Sequence, residues 1–259
     1  VFMEHSNKDI YSKWSQTHPD LPLFFHSWWL DAVCGKEAWE VALVVNHNQE
    51  VEGALPFYKS RRWGLSWSGM PMLTPYLGPL LVYPARISPA QKVTFEKRVM
   101  NELIDQMPRF FYFRQNWHPD FQNWLPFYWR GFRQTTYYTY RFPDISRPDR
   151  LFQSFRSSTR NHIRVAERAY RLEESEELAI FYALNKMTFE GQSMKIPYDL
   201  AYLKKMDDLL HDRKWSKLLL AYSEDTNRYE AGIYVVRDHQ TAYLPVSYTH
   251  LTLPTIYSV

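Results

Sequence analysis

The stretch WEVALVVNHNQEVEGALPFYKSRR, residues 39–62, decides the fold of this chain. The strand run from Glu40 to Asn46 contains the apolar sequence VALVV. The polar sequence NHNQ begins at Asn46 and favours a turn. A second apolar run, Val51 to Tyr58, completes the pattern of a β-hairpin. Pro56 has no N–H to donate, so we expect it near a sheet edge or a bulge.

The stretch WSKLLLAYSEDTNRYEAGIYVVRDHQ, residues 215–240, has the same order of features. Each stretch has a tryptophan, an apolar strand, a polar turn, an acidic residue with two small residues, and a second apolar strand. Glu52-Gly53-Ala54 matches Glu230-Ala231-Gly232. Helical sequence precedes both stretches, which predicts two copies of one helix-then-hairpin unit. A chance likeness of two ordinary hairpins is the alternative.

Periodicity and capping residues predict the remaining elements. Helices are expected at residues 8–17, from His26, and at residues 88–106, 176–191 and 197–213. Strands are expected at residues 109–114, 135–142, 217–223, 229–237 and 241–244. The segment Trp63 to Val82 is rich in glycine and proline. Such a segment often lines a cleft, and simple packing of a loop is the alternative.

Leu151 to Glu173, LFQSFRSSTRNHIRVAERAYRLE, predicts one long amphipathic helix. An apolar row faces the core in this interpretation, and a row of arginines runs beside it. The row consists of Arg156, Arg160, Arg164, Arg168 and Arg171. Guanidinium groups in a row provide fixed positive charge for an anionic ligand, whereas a solvated basic face is the simpler interpretation.

Composition limits the function classes. The 259 residues contain 45% hydrophobic and 17% aromatic residues, so the chain is long and apolar enough for one large or two small folded domains. A net charge of +3 does not favour a general nucleic-acid coat. A single cysteine, Cys34, excludes an internal disulfide and favours the cytoplasm, and no apolar run is long enough to predict a membrane span.

Val246 to Thr255, VSYTHLTLPT, matches the in-frame translation of a transposase-library sequencing adapter. We therefore predict a first domain at residues 1–134, a truncated second domain at 135–245, and an adapter-derived tail at 246–259. The chain is then expected to be unstable or inactive by itself. A natural ending by a strand and a turn is the alternative.

Four motifs, in this order, resemble the FemAB-like branch of the GNAT acyltransferase superfamily. They are Phe25-His26-Ser27-Trp28-Trp29, Val51-Glu52-Gly53-Ala54-Leu55-Pro56-Phe57, the Pro/Gly-rich segment PMLTPYLGPLL at residues 71–81, and Arg160-Asn161-His162-Ile163-Arg164-Val165-Ala166. The resemblance covers roughly residues 12–244. It implies a mixed α/β fold with tandem GNAT-like acyl-CoA N-acyltransferase domains, the second one incomplete.

The resemblance implies transfer of an acyl or aminoacyl group to an amine, by a bacterial-type enzyme. The donor would be acyl-CoA or an aminoacyl-tRNA, so tRNA is a potential partner. The acceptor would be a small molecule or a cell-envelope precursor that carries an amine. No Gly-rich pyrophosphate loop is visible, which leaves the donor site unassigned.

Acyl transfer needs a group that moves a proton and groups that orient the substrates. The candidates for proton transfer are Glu190, Tyr198 and Lys186. The candidates for substrate binding are Arg156, Arg160, Arg164, Tyr76, Gly78 and Gln192. For most of them a purely structural role is the competing interpretation. We expect no metal site, because His118 and Asp120 lack a third ligand.

Two other functions fit the same sequence features. The arginine helix and exposed aromatic residues would also suit a non-catalytic module that binds an anionic ligand, either a glycan or a nucleic acid. A degenerate GNAT-like scaffold that mainly packs against a partner is the third possibility.

Overall fold

The backbone is described from residue 6 to residue 249 in a computed structural model, with side chains up to Leu244. The chain divides into two units, and the division falls between Gln134 and Thr135. The first unit also includes Arg237–Thr241, which the sequence placed in the second domain.

Within the described residues, the first unit contains four α-helices, a hairpin and four short strands. Its helices are α1 Asn7–Gln16, α2 Ser27–Cys34, α3 Pro89–Gln106 and α4 Leu125–Trp129. Its strands are β1 Trp39–Val45, β2 Val51–Tyr58, β3 Ser60–Arg62, β4 Leu65–Ser68, β5 Leu80–Leu81 and β6 Tyr112–Phe113. They form two three-stranded sheets with the orders β1-β2-β5 and β3-β4-β6.

The predicted first hairpin is confirmed. Strands β1 and β2 pair antiparallel, with Trp39 opposite Tyr58. Pro56 is opposite Val41, and β5 reaches β2 only at Gly53 and Ala54, so Pro56 has a strand neighbour on one side only. This position tolerates a residue without an N–H.

Helix α3 covers the hairpin and completes the core of the first unit. Its start is as predicted: the Ser88 side chain accepts from the Gln91 N–H, and Pro89 is in the first turn. Val99 and Leu103 on the helix are buried against the hairpin residues Leu55 and Phe57. This apolar burial is the dominant stabilising contribution in such a layer.

The second unit has the same helix–helix–hairpin order. Its helices are α5 Pro148–Ser154, α6 Ser157–Ala169, α7 Leu178–Gly191 and α8 Leu200–His211. Its strands are β7 Tyr170–Ser175, β8 Ser216–Ser223, β9 Arg228–Arg237 and β10 Ala242–Thr249, in one sheet of order β10-β9-β8-β7. Strands β8 and β9 pair antiparallel, so the second predicted hairpin is confirmed.

The prediction of one helix from Leu151 to Glu173 is wrong. The backbone is extended at Phe155 and Arg156, which separates α5 from α6. After Ala169 the chain becomes strand β7, which pairs along its full length with β8. The alternating sequence YRLEES gains sheet hydrogen bonds there, and these override its helical pattern.

The apolar row of this segment is also not in a core, because neither α5 nor α6 contains a buried residue. The prediction of a strand at Thr135 to Phe142 is wrong as well, since no strand is assigned there. Tyr138 and Tyr140 are almost fully exposed.

Two predicted strands differ in length from the observed ones. The strand at Arg109 to Arg114 is reduced to Tyr112–Phe113. Strand β10 extends through Val246–Thr249, the first residues of the adapter-like string, and residues 250–259 lie outside the described residues. Among the described residues, no helix has the length and apolarity that crossing a bilayer requires.

Candidate functional site

The arginine row lies on α6 and at the junction before it. Arg156 immediately precedes the first residue of the helix, and Arg160 and Arg164 follow at intervals of about one turn. Arg171 is not part of the row, because it lies in β7 and pairs with Glu173 at 2.8 Å. The row on this helix therefore runs from Arg156 to Arg168.

Two of these arginines have contacts that fix their position. The Arg160 guanidinium donates to the Gln153 carbonyl oxygen at 3.1 Å and to the Phe155 carbonyl oxygen. The Arg164 guanidinium lies over the Phe152 ring, 5.6 Å from its centroid. The last carbonyl groups of a helix have no hydrogen-bond donor within the helix. Arg160 supplies donors to two such groups at the end of α5.

Among the described residues, Arg156, Arg160 and Arg164 form no ion pair with a carboxylate. Their positive charges are therefore available to an anion from outside this segment. Charge-assisted hydrogen bonds from guanidinium groups to phosphate or carboxylate are among the stronger polar interactions of proteins.

Tyr198 is the proton-transfer candidate with the most site-like surroundings. It precedes α8 and is not its first residue, because Asp199 caps that helix. Its buried hydroxyl accepts from Asn185 Nδ2 at 2.6 Å. Burial is the main cause that raises the pKa of Tyr198 to about 12, with a contribution from Tyr182, while the Asn185 hydrogen bond acts in the opposite direction.

A third polar group lies one turn from Asn185 on α7. The Thr188 hydroxyl is inaccessible to solvent and has no hydrogen-bond partner among the described residues. Burying a polar atom without a partner costs free energy. Asn185 and Thr188 thus make one buried face of α7 polar. Sequence reasoning missed Asn185 and Thr188. Their signal was polar residues in an apolar helical pattern.

Glu190 and Lys186 lie in a different environment. They form an exposed pair on α7, with Lys186 Nζ 3.7 Å from Glu190 Oε1. Gln192 is exposed at the end of the same helix, and its backbone N–H donates to the Thr188 and Phe189 carbonyl oxygens. Water solvates all three side chains, so none has the desolvation that tunes a catalytic acid or base.

Tyr76 and Gly78 lie in the first unit and have packing roles. The Tyr76 ring is buried edge-on to Phe24 and His118, with centroids 5.1 and 4.6 Å apart. Gly78 has a φ of 104°, and a Cβ there would lie 2.6 Å from Trp117 Cδ1. Only glycine fits this backbone and this contact. Whether either residue lines a cleft stays a prediction.

The second unit also has a cavity of about 390 Å³ that none of the predicted residues lines. Asp207 Oδ1 accepts there from Ser216 Oγ at 2.8 Å and from Tyr234 Oη at 2.6 Å. His211 and Lys217 contribute to the wall. Burial is the first cause that raises the pKa of Tyr234 far above its ordinary value, and the hydrogen bond to Asp207 adds to it. Among residues 6–249, no three His, Cys, Asp or Glu side chains are grouped to bind a metal ion.

No family model matches the chain, and no curated protein matches its sequence. Among solved structures, the chain is similar to one titled "Crystal structure of FemX". The likeness covers 95% of this chain and 79% of the other, with a TM-score of 0.57 and 14% sequence identity. The chain therefore has a FemAB-like fold, a mixed α/β architecture that fits two GNAT-like domains in tandem.

Proposed function

We propose that the protein is a FemAB-like N-acyltransferase. The observation that carries this proposal is the likeness to FemX over 95% of the chain, together with the repeated helix–helix–hairpin order. The donor in this proposal is acyl-CoA or an aminoacyl-tRNA. The acceptor is the amine of a small molecule or of a cell-envelope precursor, and the reaction takes place in the cytoplasm.

The anionic part of a substrate binds the arginine row in this proposal. CoA, tRNA and nucleotide-linked envelope precursors all carry phosphate, and Arg156 and Arg164 have no carboxylate partner among the described residues. Arg160 supports the row by holding the junction of α5 and α6. Gln192, Tyr76 and Gly78 remain proposed binding positions.

Tyr198 is preferred over Glu190 and Lys186, with the role of a neutral hydrogen-bond donor to the reacting group. Its pKa of about 12 means that the phenol keeps its proton at neutral pH. A neutral hydroxyl that already accepts from Asn185 is free to donate its own hydrogen to a developing oxyanion. Glu190 and Lys186 neutralise each other on the surface.

The experiment is a donor and acceptor screen. Purified protein is incubated with labelled acyl-CoA thioesters or aminoacyl-tRNAs and with amine-bearing acceptors, and loss of the thioester or ester bond is followed. The proposal predicts loss of donor that depends on an acceptor. Stable donor with every acceptor, from protein that unfolds cooperatively, contradicts it.

A second candidate function is binding of a nucleic acid or glycan without catalysis. Residues 135–168 contain seven arginines, no lysine and three acidic residues, a formal net charge of +4 in a chain of +3. Tyr138 and Tyr140 are 95% and 100% exposed in the same segment. Arginines and exposed rings suit single-stranded nucleic acid. Affinity for RNA that falls steeply with salt, and falls in Arg160→Ala/Arg164→Ala, would favour this function.

A further inference from the structure

The turn between β3 and β4 places a tryptophan where the fold does not use it. Trp63 and Gly64 form the turn with φ of 50° and 79°. Asn, Asp and Gly are the usual residues in a hairpin turn with two positive φ angles, and a bulky residue there is uncommon. The Trp63 side chain is 91% exposed. The turn therefore carries a strained backbone and a large apolar group in water.

Trp63 continues an apolar surface on the outer face of the sheet β3-β4-β6. Leu65 and Trp67 lie on the same side of β4 because side chains alternate along a strand. Tyr112 is paired with Trp67, and the Phe111 ring lies 5.3 Å from the Trp67 ring. We call these five residues the hairpin patch. Leu65, Phe111 and Tyr112 are 41%, 66% and 41% exposed.

The opposite side of this sheet belongs to the interior. Ser68 is fully buried, and its partner Phe113 packs against the core cluster under α3. The sheet therefore has a packed inner side, and its exposed rings lie on the other side. An apolar surface of this kind on a folded unit indicates an interaction site.

Positive charge surrounds the hairpin patch. Arg62 and Arg109 are exposed and have no ion pair among the described residues, and Arg114 is exposed at the end of β6. Arg61 is paired with Ser66 and lies on the other side of the sheet. The Arg62 guanidinium lies 5.9 Å from the Trp67 ring centroid. Residues 59–70 and 108–117 contain no aspartate or glutamate. The surface is thus apolar at its centre and cationic at its edge.

We propose that the hairpin patch docks the protein on an anionic membrane surface. Trp63 and Leu65 enter the boundary between headgroups and acyl chains, and the arginines contact lipid phosphates. Tryptophan and tyrosine prefer this boundary, and basic side chains near it are attracted by anionic lipids. Binding of this kind needs no membrane-spanning helix.

A single-stranded nucleic acid fits the same surface less well. Base stacking needs ring faces that are open to the base. The Trp67 ring already packs against Phe111 and Tyr112, with ring centroids 5.3 and 5.1 Å away. Leu65 has no ring to stack on. The chemistry of the patch therefore favours lipid over bases. This docking surface does not depend on the acyl-transfer proposal.

The test is flotation of the full chain with vesicles. One set is phosphatidylcholine alone, and in the other about one lipid in three is phosphatidylglycerol. Trp63→Asn removes the indole and keeps a residue that tolerates positive φ. Trp129→Asn, at an exposed tryptophan of α4 outside the patch, is the matched control. Arg62→Gln/Arg109→Gln is compared with Arg86→Gln/Arg133→Gln, which alters exposed arginines outside the patch.

We expect the partition coefficient to be about tenfold higher for anionic than for neutral vesicles. Trp63→Asn and Arg62→Gln/Arg109→Gln should each lower it about tenfold, and both controls should stay within about twofold. Equal partition of the unaltered chain into both vesicle types would overturn the proposal. An unchanged Trp63→Asn variant would also overturn it. So would Trp63-dependent binding of a single-stranded RNA without binding to vesicles.

Discussion

Glu52 and Glu230 occupy the same place in the two hairpins, because each is the extra residue of a β-bulge. Around Glu52 the register shifts so that Gly53 pairs with Val44 but Val51 pairs with Val45. Around Glu230 it shifts so that Ala231 pairs with Ala221 but Tyr229 pairs with Tyr222. A bulge bends a strand at a defined residue and is a specific local feature. The two units thus share backbone geometry as well as a sequence pattern.

Each bulge glutamate is held by its own unit. Glu52 Oε2 accepts from Arg98 on α3 at 2.7 Å. Glu230 accepts from the Tyr170 hydroxyl at 2.9 Å and from the Thr226 hydroxyl at 2.6 Å. The partners differ while the position of the acid is the same. This combination is expected of two copies of one unit that have diverged in their surroundings.

Gly53, which follows the bulge in the first hairpin, is expected to be sensitive to substitution. A Cβ on Gly53 would lie 2.4 Å from Val99 Cγ1, on a buried β-branched residue of α3. Gly53→Ala should lower the free energy of unfolding by about 1–3 kcal/mol, because a packed core resists added volume. Urea denaturation measures this value.

Gly69→Ala is the control for that substitution, since a Cβ on Gly69 meets nothing within 4 Å. It should change the free energy of unfolding by no more than about 0.5 kcal/mol. Equal effects of the two substitutions would show that α3 does not press on β2 at Gly53.

Arg160 and Arg156 should separate stability from ligand binding. Arg160→Gln removes the bonds to carbonyl groups at the end of α5 and should cost about 1 kcal/mol of unfolding free energy. Arg156→Gln breaks no hydrogen bond among the described residues and should stay within about 0.5 kcal/mol. Thermal or urea unfolding distinguishes them. A larger loss for Arg156→Gln would contradict the assignment.

Sequence reasoning found what is local and repeated. The hairpins, the Ser88 cap and most helices follow from periodicity and turn chemistry within one window of sequence. Tyr170 and Thr135 to Phe142 show its limit. Tyr170–Ser175 becomes a strand because β8, far along the chain, pairs with it. Thr135 to Phe142 is assigned no strand, and a window of sequence shows neither outcome.

The candidate site was predictable only in part. Fixed charges such as Arg156 and Arg164 are visible in the sequence, whereas burial is not. Tyr198 was one of several equal candidates until its contact with Asn185 distinguished it from the solvated Glu190. Asn185 became relevant only through that contact.

Tyr198 predicts a pH dependence of stability. Its folded pKa of about 12 lies above the ordinary value of 10, so the folded state binds the proton more tightly. The stabilisation is complete below pH 10 and is lost as the pH rises through about 12, by up to about 2 kcal/mol. Unfolding free energies of the unaltered chain and of Tyr198→Phe, compared from pH 8 to 12, isolate this contribution. A constant difference across this range would contradict it.

Asp207 should be the residue on which the polar side of the second-unit cavity depends. Asp207→Ala leaves the buried Tyr234 hydroxyl without its acceptor and should cost about 1–3 kcal/mol. Asp208→Ala, at the exposed neighbouring position, should stay within about 0.5 kcal/mol. Tyr234→Phe added to Asp207→Ala should recover part of the loss, since the unpaired hydroxyl is then absent. No recovery would show that the cost has another origin.

We propose that this FemAB-like fold transfers an acyl group to an amine. Mass spectrometry of the acceptor, after incubation with a donor, detects that transfer directly. We expect an amide product whose mass is that of the acceptor plus the acyl group minus one hydrogen atom. We also expect kcat/KM to fall about tenfold or more in Arg156→Gln/Arg164→Gln, while Arg86→Gln is unchanged. Unmodified acceptor and intact donor, in the presence of cooperatively folded protein, would contradict the account.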